Sequence, residues 1–253
     1  MSRRRCAVVT GGGTGIGLAS AHALAGAGLD VLIAGRRAEV LERAAAEIRA
    51  AAPGARVAAA VADVGRPADC EALVAAAVEQ LGRVDVLVNA AAIYEPVPFL
   101  ELTAERWDAT LDVDLRGTAL TSVAAARWMA ANGGGRIVLV SSVNAEASVP
   151  AASHYSAAKA ALHSLARSMA QELAPSGIAV NAVAPGWVRT PMTEAYLATS
   201  TPERLARLNP LARAGEADEI ASLIRYLACE APPFLTGAAL IVDGGQTAIS
   251  AMP

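Results

Sequence analysis

The stretch that most restricts how this chain can fold lies near its start. A short, mainly apolar run at residues 6–10 leads straight into Gly11-Gly12-Gly13-Thr14-Gly15-Ile16-Gly17, and residues 18–27 then have helical composition. The order is strand, glycine turn, helix. Glycines let a backbone turn sharply and approach a pyrophosphate, while the free N–H groups and the positive dipole at the start of a helix attract its charge. A glycine-rich turn alone is common; its position after the first strand makes this one a dinucleotide-binding candidate.

The same alternation continues through the chain. Residues 30–34, 57–61, 84–88, 136–142, 178–183 and 239–242 read as further short buried strands. Residues 38–51, 67–81, 103–131, 153–174 and 217–228 read as helices. With no internal repeat and no low-complexity linker, this predicts an α/β fold with a seven-stranded parallel sheet covered by helices on both faces. A chain of 253 residues suits one sizeable domain spanning 1–253.

Composition narrows the partners. The hydrophobic fraction is 54%, but alanine supplies much of it, and charges and glycines interrupt each apolar run well short of the ~20 residues of a membrane span. Arg3, Arg4 and Arg5 are followed by only four apolar residues before the glycines, so no export signal is expected. Cys6, Cys70 and Cys229 are odd in number and widely spaced, which favours reduced thiols and a cytoplasmic location. A net charge of −3 disfavours nucleic acid as a partner. His22, His154 and His163 have no metal-ligand spacing; His22 and His163 read as helix residues, and His154 as either a packing residue or a substrate contact.

The candidate chemistry centres on Ser153-His154-Tyr155-Ser156-Ala157-Ala158-Lys159. Four residues apart on a helix, Tyr155 and Lys159 share a face about 6 Å apart along the axis, close enough for the ammonium to favour the tyrosinate. A free phenol titrates near ~10 and needs such help to act at neutral pH. Ser142 ends the apolar run 136–142, placing a hydroxyl at the carboxyl end of a parallel strand, where open α/β sheets bind ligands.

In order and spacing, Ser142, Tyr155 and Lys159 resemble the catalytic residues of the short-chain dehydrogenase/reductase family. Thr10-Gly11-x-x-x-Gly15-x-Gly17 is similar to that family's glycine fingerprint. Asp63-Val64 resembles its adenine-contacting pair, and Pro185-Gly186-Trp187-Val188-Arg189-Thr190 the segment that holds the nicotinamide carboxamide. Asn89-Ala90-Ala91-Ala92 keeps only the leading Asn of the family's usual Asn-Asn-Ala-Gly. Phe234-Leu235-Thr236-Gly237 and Asp243-Gly244-Gly245 match the family's ending, so the resemblance covers essentially the whole chain.

The resemblance implies a doubly wound Rossmann-type fold and reversible hydride transfer between a nicotinamide cofactor and a small-molecule ketone or secondary alcohol. Tyr155 is then the acid/base. Ser142 hydrogen-bonds the substrate oxygen, and Lys159 holds the cofactor ribose and depresses the Tyr155 pKa. Gly11, Thr14, Gly15, Ile16, Gly17, Asp63, Val64, Asn89, Pro185, Gly186, Val188 and Thr190 become cofactor-binding residues, together with Tyr155 and Lys159. Asp63 is alternatively a helix cap.

After the second strand, where NAD enzymes usually carry an acid, stand Gly35, Arg36 and Arg37. NADP(H) is therefore expected, with NAD(H) as the alternative, since Thr14 occupies a position where many NADP users have a base. Arg36 is the better reader of a 2′-phosphate; the alternative for both arginines is solvation and pairing with Glu39 or Glu42. Residues 191–215, short helical pieces broken by prolines, are expected to form a substrate lid, with no charge cluster or aromatic cage in it to select a compound class. Similar proteins are homotetramers, and the helices around 119–129 and 162–173 carry small and apolar residues beyond the face a sheet covers. Asp114 stands where the family most often has Asn, in a water-mediated proton path to Lys159. It is expected mid-helix and facing the site, with Asp114→Asn holding turnover within roughly tenfold. Two rival functions remain, an enoyl or dienoyl thioester reductase and a non-catalytic dinucleotide sensor.

Overall fold

The structure, a computed structural model, describes residues 4–248. Arg3 of the leading basic run lies outside the described residues. In chain order the elements are β1 (Cys6–Thr10), α1 (Gly15–Gly26), β2 (Asp30–Gly35), α2 (Ala38–Ala51), β3 (Val57–Val61), α3 (Pro67–Leu81), β4 (Val86–Asn89), α4 (Ala104–Leu111) and α5 (Thr118–Ala131). There follow β5 (Gly135–Val140), α6 (Ser153–Leu173), β6 (Ile178–Pro185), β7 (Val188–Arg189), α7 (Glu194–Ala198), α8 (Pro202–Leu208), β8 (Gly215–Glu216), α9 (Ala217–Cys229) and β9 (Ala239–Val242).

Seven strands form one parallel sheet in the order β3-β2-β1-β4-β5-β6-β9, as the alternating pattern predicts. The short β7 and β8 pair separately. Because β1 is flanked by β2 on one side and β4 on the other, the direction of winding reverses there, and the helices leave a crevice at the carboxyl ends of the two central strands.

Every residue of β1 is buried, which a sheet covered on both faces requires. Its side chains alternate between two cores. Ala7 and Val9 join Leu24 of α1, Leu41 and Ile48 of α2, and Ile224 of α9 on one face. Cys6 and Val8 join Leu73 of α3, Met129 of α5 and Ala166 of α6 on the other. Among the described residues no helix is long and apolar enough to cross a membrane.

The helix expected over residues 103–131 is not continuous. Asp112–Gly117 forms a π-helical turn between α4 and α5. Gly117 allows this turn to press on the neighbouring backbone, since a Cβ there would lie 2.5 Å from the Val64 carbonyl oxygen. Thr118, Thr121 and Ser122 return their hydroxyls to the carbonyls of Asp114, Gly117 and Thr118. Single π turns inside helices recur at functional sites, because the extra residue turns one side chain inward. Here the inward side chain is Asp114, which is fully buried.

Candidate active site

The crevice is walled by residues from both halves of the sheet. Of the residues singled out from the sequence, all except Asn89 and Asp114 line it. At its floor Gly11 adopts φ +65, and a Cβ on it would lie 2.8 Å from the Ala90 carbonyl oxygen. A Cβ on Gly17 would lie 2.3 Å from the Gly11 carbonyl oxygen, so the turn closes only with glycine.

Helix α1 begins at Gly15. Its N-cap Thr14 is extended and makes no side-chain cap, and no acidic residue lies in the first turn. The first-turn N–H groups of Gly15, Ile16 and Gly17 therefore face the cleft as a positive helix end that no side chain of the protein caps. A dinucleotide pyrophosphate fits this cradle.

Arg36 and Arg37 are exposed where β2 leaves the sheet and border the same cleft. Among the described residues neither pairs with Glu39 or Glu42. Asp63 is not the cap of α3, whose N-cap is Arg66. Its Oδ1 accepts the Gly65 N–H at 3.0 Å and its own N–H donates to Asp69, which holds the Asp63-Val64 corner at the cleft edge.

Asn89 departs from expectation. It is buried at the end of β4 and its carboxamide donates to the Ser122 hydroxyl at 2.9 Å, on the α5 side of the sheet. Residues 90–93 take its place in the cleft wall. They are held by a residue that the sequence reading did not single out for this purpose. Thr10 Oγ1 accepts the N–H groups of both Ala90 and Ala91 at 3.1 Å.

At the other end of the cleft, Ser142 follows β5 with its Oγ accepting the Asn144 N–H at 3.1 Å, so that its own proton is directed to the Tyr155 oxygen or to a substrate oxygen beside it. Ser141 Oγ donates to the Lys159 carbonyl at 2.9 Å and ties α6 to the end of β5. Tyr155 and Lys159 share a face of α6, with Nζ 5.3 Å from the ring centroid. Tyr94 packs edge-on against Tyr155, their ring centroids 5.0 Å apart.

Lys159 is buried. Its Nζ donates to the Val140 carbonyl at 3.1 Å and lies 3.2 Å from Asp114 Oδ2. Asp114 Oδ1 accepts the Ile93 N–H at 2.9 Å, while Oδ2 has no aligned hydrogen bond and its charge is matched by the Lys159 ammonium. Asp114 thus stands behind the cleft, joining the 90–93 wall to α6.

Burial pushes the Asp114 carboxyl above its ordinary value, against the pull of Lys159 and the Ile93 N–H. For Lys159 burial acts to lower the pKa, but Asp114 and Tyr155 outweigh it and the ammonium is held above its usual range. The Tyr155 phenol is pushed up by burial. Lys159 and a Ser142 hydrogen bond pull it down, while Asp114 and Tyr94 oppose them. The net direction reverses the expected depression by Lys159, because burial of the phenol outweighs the ammonium and the Asp114 carboxylate adds to it.

Among the described residues, no histidine lines the cleft. His154 is buried with Nε2 3.1 Å from the Glu95 carbonyl, His163 lies against Glu146 and His22 against Glu47. In segment 191–215, Tyr196 of α7 stacks on Trp187 at 4.1 Å, and the Arg204 guanidinium lies 4.4 Å from the Tyr196 ring centroid and donates to its hydroxyl at 3.1 Å. That stack joins α7, α8 and the segment after β6, and sequence spacing gave no sign of it.

A crevice at the switch point of a doubly wound sheet, with a serine, a tyrosine and a lysine at one end and a glycine turn at the other, defines a nucleotide-dependent oxidoreductase. A family model described as enoyl-(acyl carrier protein) reductase matches residues 11–247. The chain is 42% identical over 246 residues to cis-4-hydroxycyclohexanecarboxylate dehydrogenase of Sinomonas cyclohexanicum, covering 97% of each chain. It is 41% identical over 249 residues to galactitol 2-dehydrogenase (L-tagatose-forming) of Cereibacter sphaeroides, covering 96% of this chain and 94% of the relative. The solved structure of acetoin dehydrogenase from Enterobacter cloacae superposes with a TM-score of 0.90 at 36% identity, over 100% of this chain and 99% of that one. The chain belongs to the short-chain dehydrogenase/reductase family. It is an oxidoreductase of that family, which removes the non-catalytic sensor from the possible functions.

Proposed function

We propose that this enzyme interconverts a small-molecule ketone and its secondary alcohol with a nicotinamide cofactor, NADP(H) in preference to NAD(H), and that Tyr155 is the general acid/base. The observation that carries the reading is the convergence of Ser142, Tyr155 and Lys159 at one end of the cleft whose other end is the glycine cradle. The bound cofactor supplies or accepts the hydride. Gly11, Gly15, Ile16 and Gly17 seat its pyrophosphate, Arg36 reads the 2′-phosphate, and Val188 and Thr190 hold the nicotinamide end.

The protein's own chemistry is proton transfer. Ser142, with its oxygen already engaged by the Asn144 N–H, donates its proton to the substrate oxygen and fixes it beside the Tyr155 hydroxyl. In reduction Tyr155 protonates the forming alkoxide; in oxidation it removes the alcohol proton. Lys159 holds the ribose and keeps a positive charge near the phenol. Proton transfer from a placed acid contributes typically ~100- to 10,000-fold.

The second reading, reduction of an enoyl thioester, is favoured by the description of the matching family model. The names of the dehydrogenase relatives point instead to carbon–oxygen chemistry. In the ketone/alcohol reading proposed above, the whole of 1–253 is one domain, residues 191–215 close over the substrate, and four chains assemble in the cytoplasm, for which light scattering at micromolar concentration is the check.

Turnover with NADPH and NADH on a ketone panel and an enoyl-thioester panel separates the two readings. Ketone reduction is expected to dominate, and Tyr155→Phe to lower it ~100- to 10,000-fold. Dominant reduction of the carbon–carbon bond, or a Tyr155→Phe enzyme that keeps most of its activity, overturns the proposal.

A further inference from the structure

Tyr155 and Lys159 do not form an isolated pair. The ammonium that faces the phenol at 5.3 Å also faces a fully buried carboxylate at 3.2 Å. A lone ammonium in a water-poor site projects a full positive charge onto its neighbour. One matched to a carboxylate projects the weaker field of an ion pair, and the carboxylate's own charge opposes formation of a tyrosinate.

We propose that Asp114 is a positioning residue that, through its ion pair with Lys159, keeps the Tyr155 hydroxyl protonated and biases this site toward donating a proton to a forming alkoxide. The inference rests on Tyr155 as the acid/base. It adds a determinant of the resting protonation state, and so of the pH dependence of each direction, that Ser142, Tyr155 and Lys159 do not contain.

Among the described groups around the triad, this carboxylate is the anion set directly against the Lys159 ammonium. From α6 come Lys159, Tyr155 and the buried His154, whose charge, when present, stabilises the Asp114 anion. From segment 90–96 come the Ile93 N–H, bound to Asp114, and Tyr94, whose ring edge meets Tyr155. Glu95 is exposed and pairs with Arg106 of α4 at 3.4 Å. Within the π turn, Asp112 and Arg116 neutralise each other at 2.9 Å. The end of β5 contributes the neutral Val140 carbonyl and Ser142.

The local structure is built to hold the carboxylate there. The π turn brings residue 114 inward, the Ile93 N–H fixes Oδ1, and Oδ2 is left to the ammonium. Asparagine at 114 keeps an oxygen for Ile93 and removes the charge. The coupled Tyr155/Lys159 pair then releases its proton at lower pH, whichever of the two gives it up.

The test combines a titration with pH profiles. In the wild-type enzyme, the alkaline absorbance change that disappears in Tyr155→Phe is expected at or above the range of a free phenol, ~10. Ionisation of Tyr155 below about pH 8 overturns the proposal without any change at Asp114. In Asp114→Asn the rising limb of alcohol oxidation is expected to move to lower pH by at least about one unit, a tenfold change in proton affinity. The alkaline fall of ketone reduction should move with it. A residue that merely supports the fold would scale turnover equally at every pH, so unmoved limbs also overturn the inference. Full turnover in Tyr155→Phe would instead defeat the acid/base reading, while the titration would still report the effect of the ion pair.

Discussion

Thr10, the last residue of β1, accepts the backbone N–H of Ala91 through its hydroxyl at 3.1 Å, and that of Ala90 at the same distance. Two strands that diverge at the switch point are thereby tied together beneath the cleft. Thr10 is 2% exposed, so its replacement by the isosteric Val strands two donors in a region with little water. An unmet buried hydrogen bond costs about 1–3 kcal/mol. For a chain of this size each kcal/mol lowers the melting temperature by roughly 2–4 °C. Thr10→Val is expected to melt several degrees lower and to bind the cofactor more weakly; an unchanged melt would show that water replaces the hydroxyl at both N–H groups.

The glycine turn yields a prediction with its own control. A Cβ at Gly17 would meet the Gly11 carbonyl oxygen at 2.3 Å, and backbone cannot move aside as a side chain can. Gly26, the last residue of the same helix α1, has nothing within 4 Å of its Cβ position. Gly17→Ala is expected to open the turn and abolish measurable cofactor binding by titration calorimetry. Gly26→Ala should bind normally and gain up to about 1 kcal/mol, because alanine gives up less backbone freedom on entering a helix.

These contrasts mark where the sequence was sufficient. The boundaries of α2, β3, α3 and β9 follow from local pattern alone: periodic apolar residues, proline at the first turn of α3, glycine after its last. Ser142, Tyr155 and Lys159 were legible because order and spacing encode them. The π turn was not, since residues 103–131 have helical composition throughout, whereas the turn packs its Gly117 against Val64, 53 positions earlier in the chain. Asp114 reads from the sequence as a mid-helix residue facing the site close to Lys159; that it sits instead in a π turn, with its carboxylate 3.2 Å from the ammonium, depends on how α6 packs against that turn. The partner of the Asn89 carboxamide is not readable, because a motif gives the position of a residue but not the side of the sheet its side chain meets.

Alkaline pH should unfold the protein earlier than its carboxylates and arginines alone would. Burial first, then the carboxylates of Asp85 and Asp30, push the Cys6 thiol up to about 12 from an ordinary value of 9.0. Above pH 9 the unfolded chain releases this proton and the native chain keeps it, so the native state binds more protons and stability falls as pH rises from 9 toward 12. Lys159 acts with the same sign at higher pH, its contribution being complete below 10.5 and lost as pH passes its raised native value. Urea denaturation between pH 8 and 11 should show this decline, with a shallower slope in Cys6→Ala. At pH 8 an alkylating reagent should leave Cys6 of the native protein unmodified.

The choice of cofactor turns on Arg36. It lines the cleft where β2 leaves the sheet, it is exposed, and among the described residues it has no ion-pair partner. With Arg37 as the N-cap of α2, two cations stand at the helix end whose dipole favours anions, an unfavourable arrangement that a bound phosphate relieves. A hydrogen bond to a charged group contributes about 1.5–3 kcal/mol. Arg36→Ala should therefore weaken NADPH roughly 10- to 150-fold while leaving NADH nearly unaffected, since the ribose hydroxyl of NADH offers no charge to the guanidinium. Arg37→Ala should cost less, because Arg36 is the first cation beyond β2. Dissociation constants for both cofactors by fluorescence titration decide the matter: equal losses in Arg36→Ala would mean that its guanidinium does not read the phosphate and that the cleft has no built-in preference at this position.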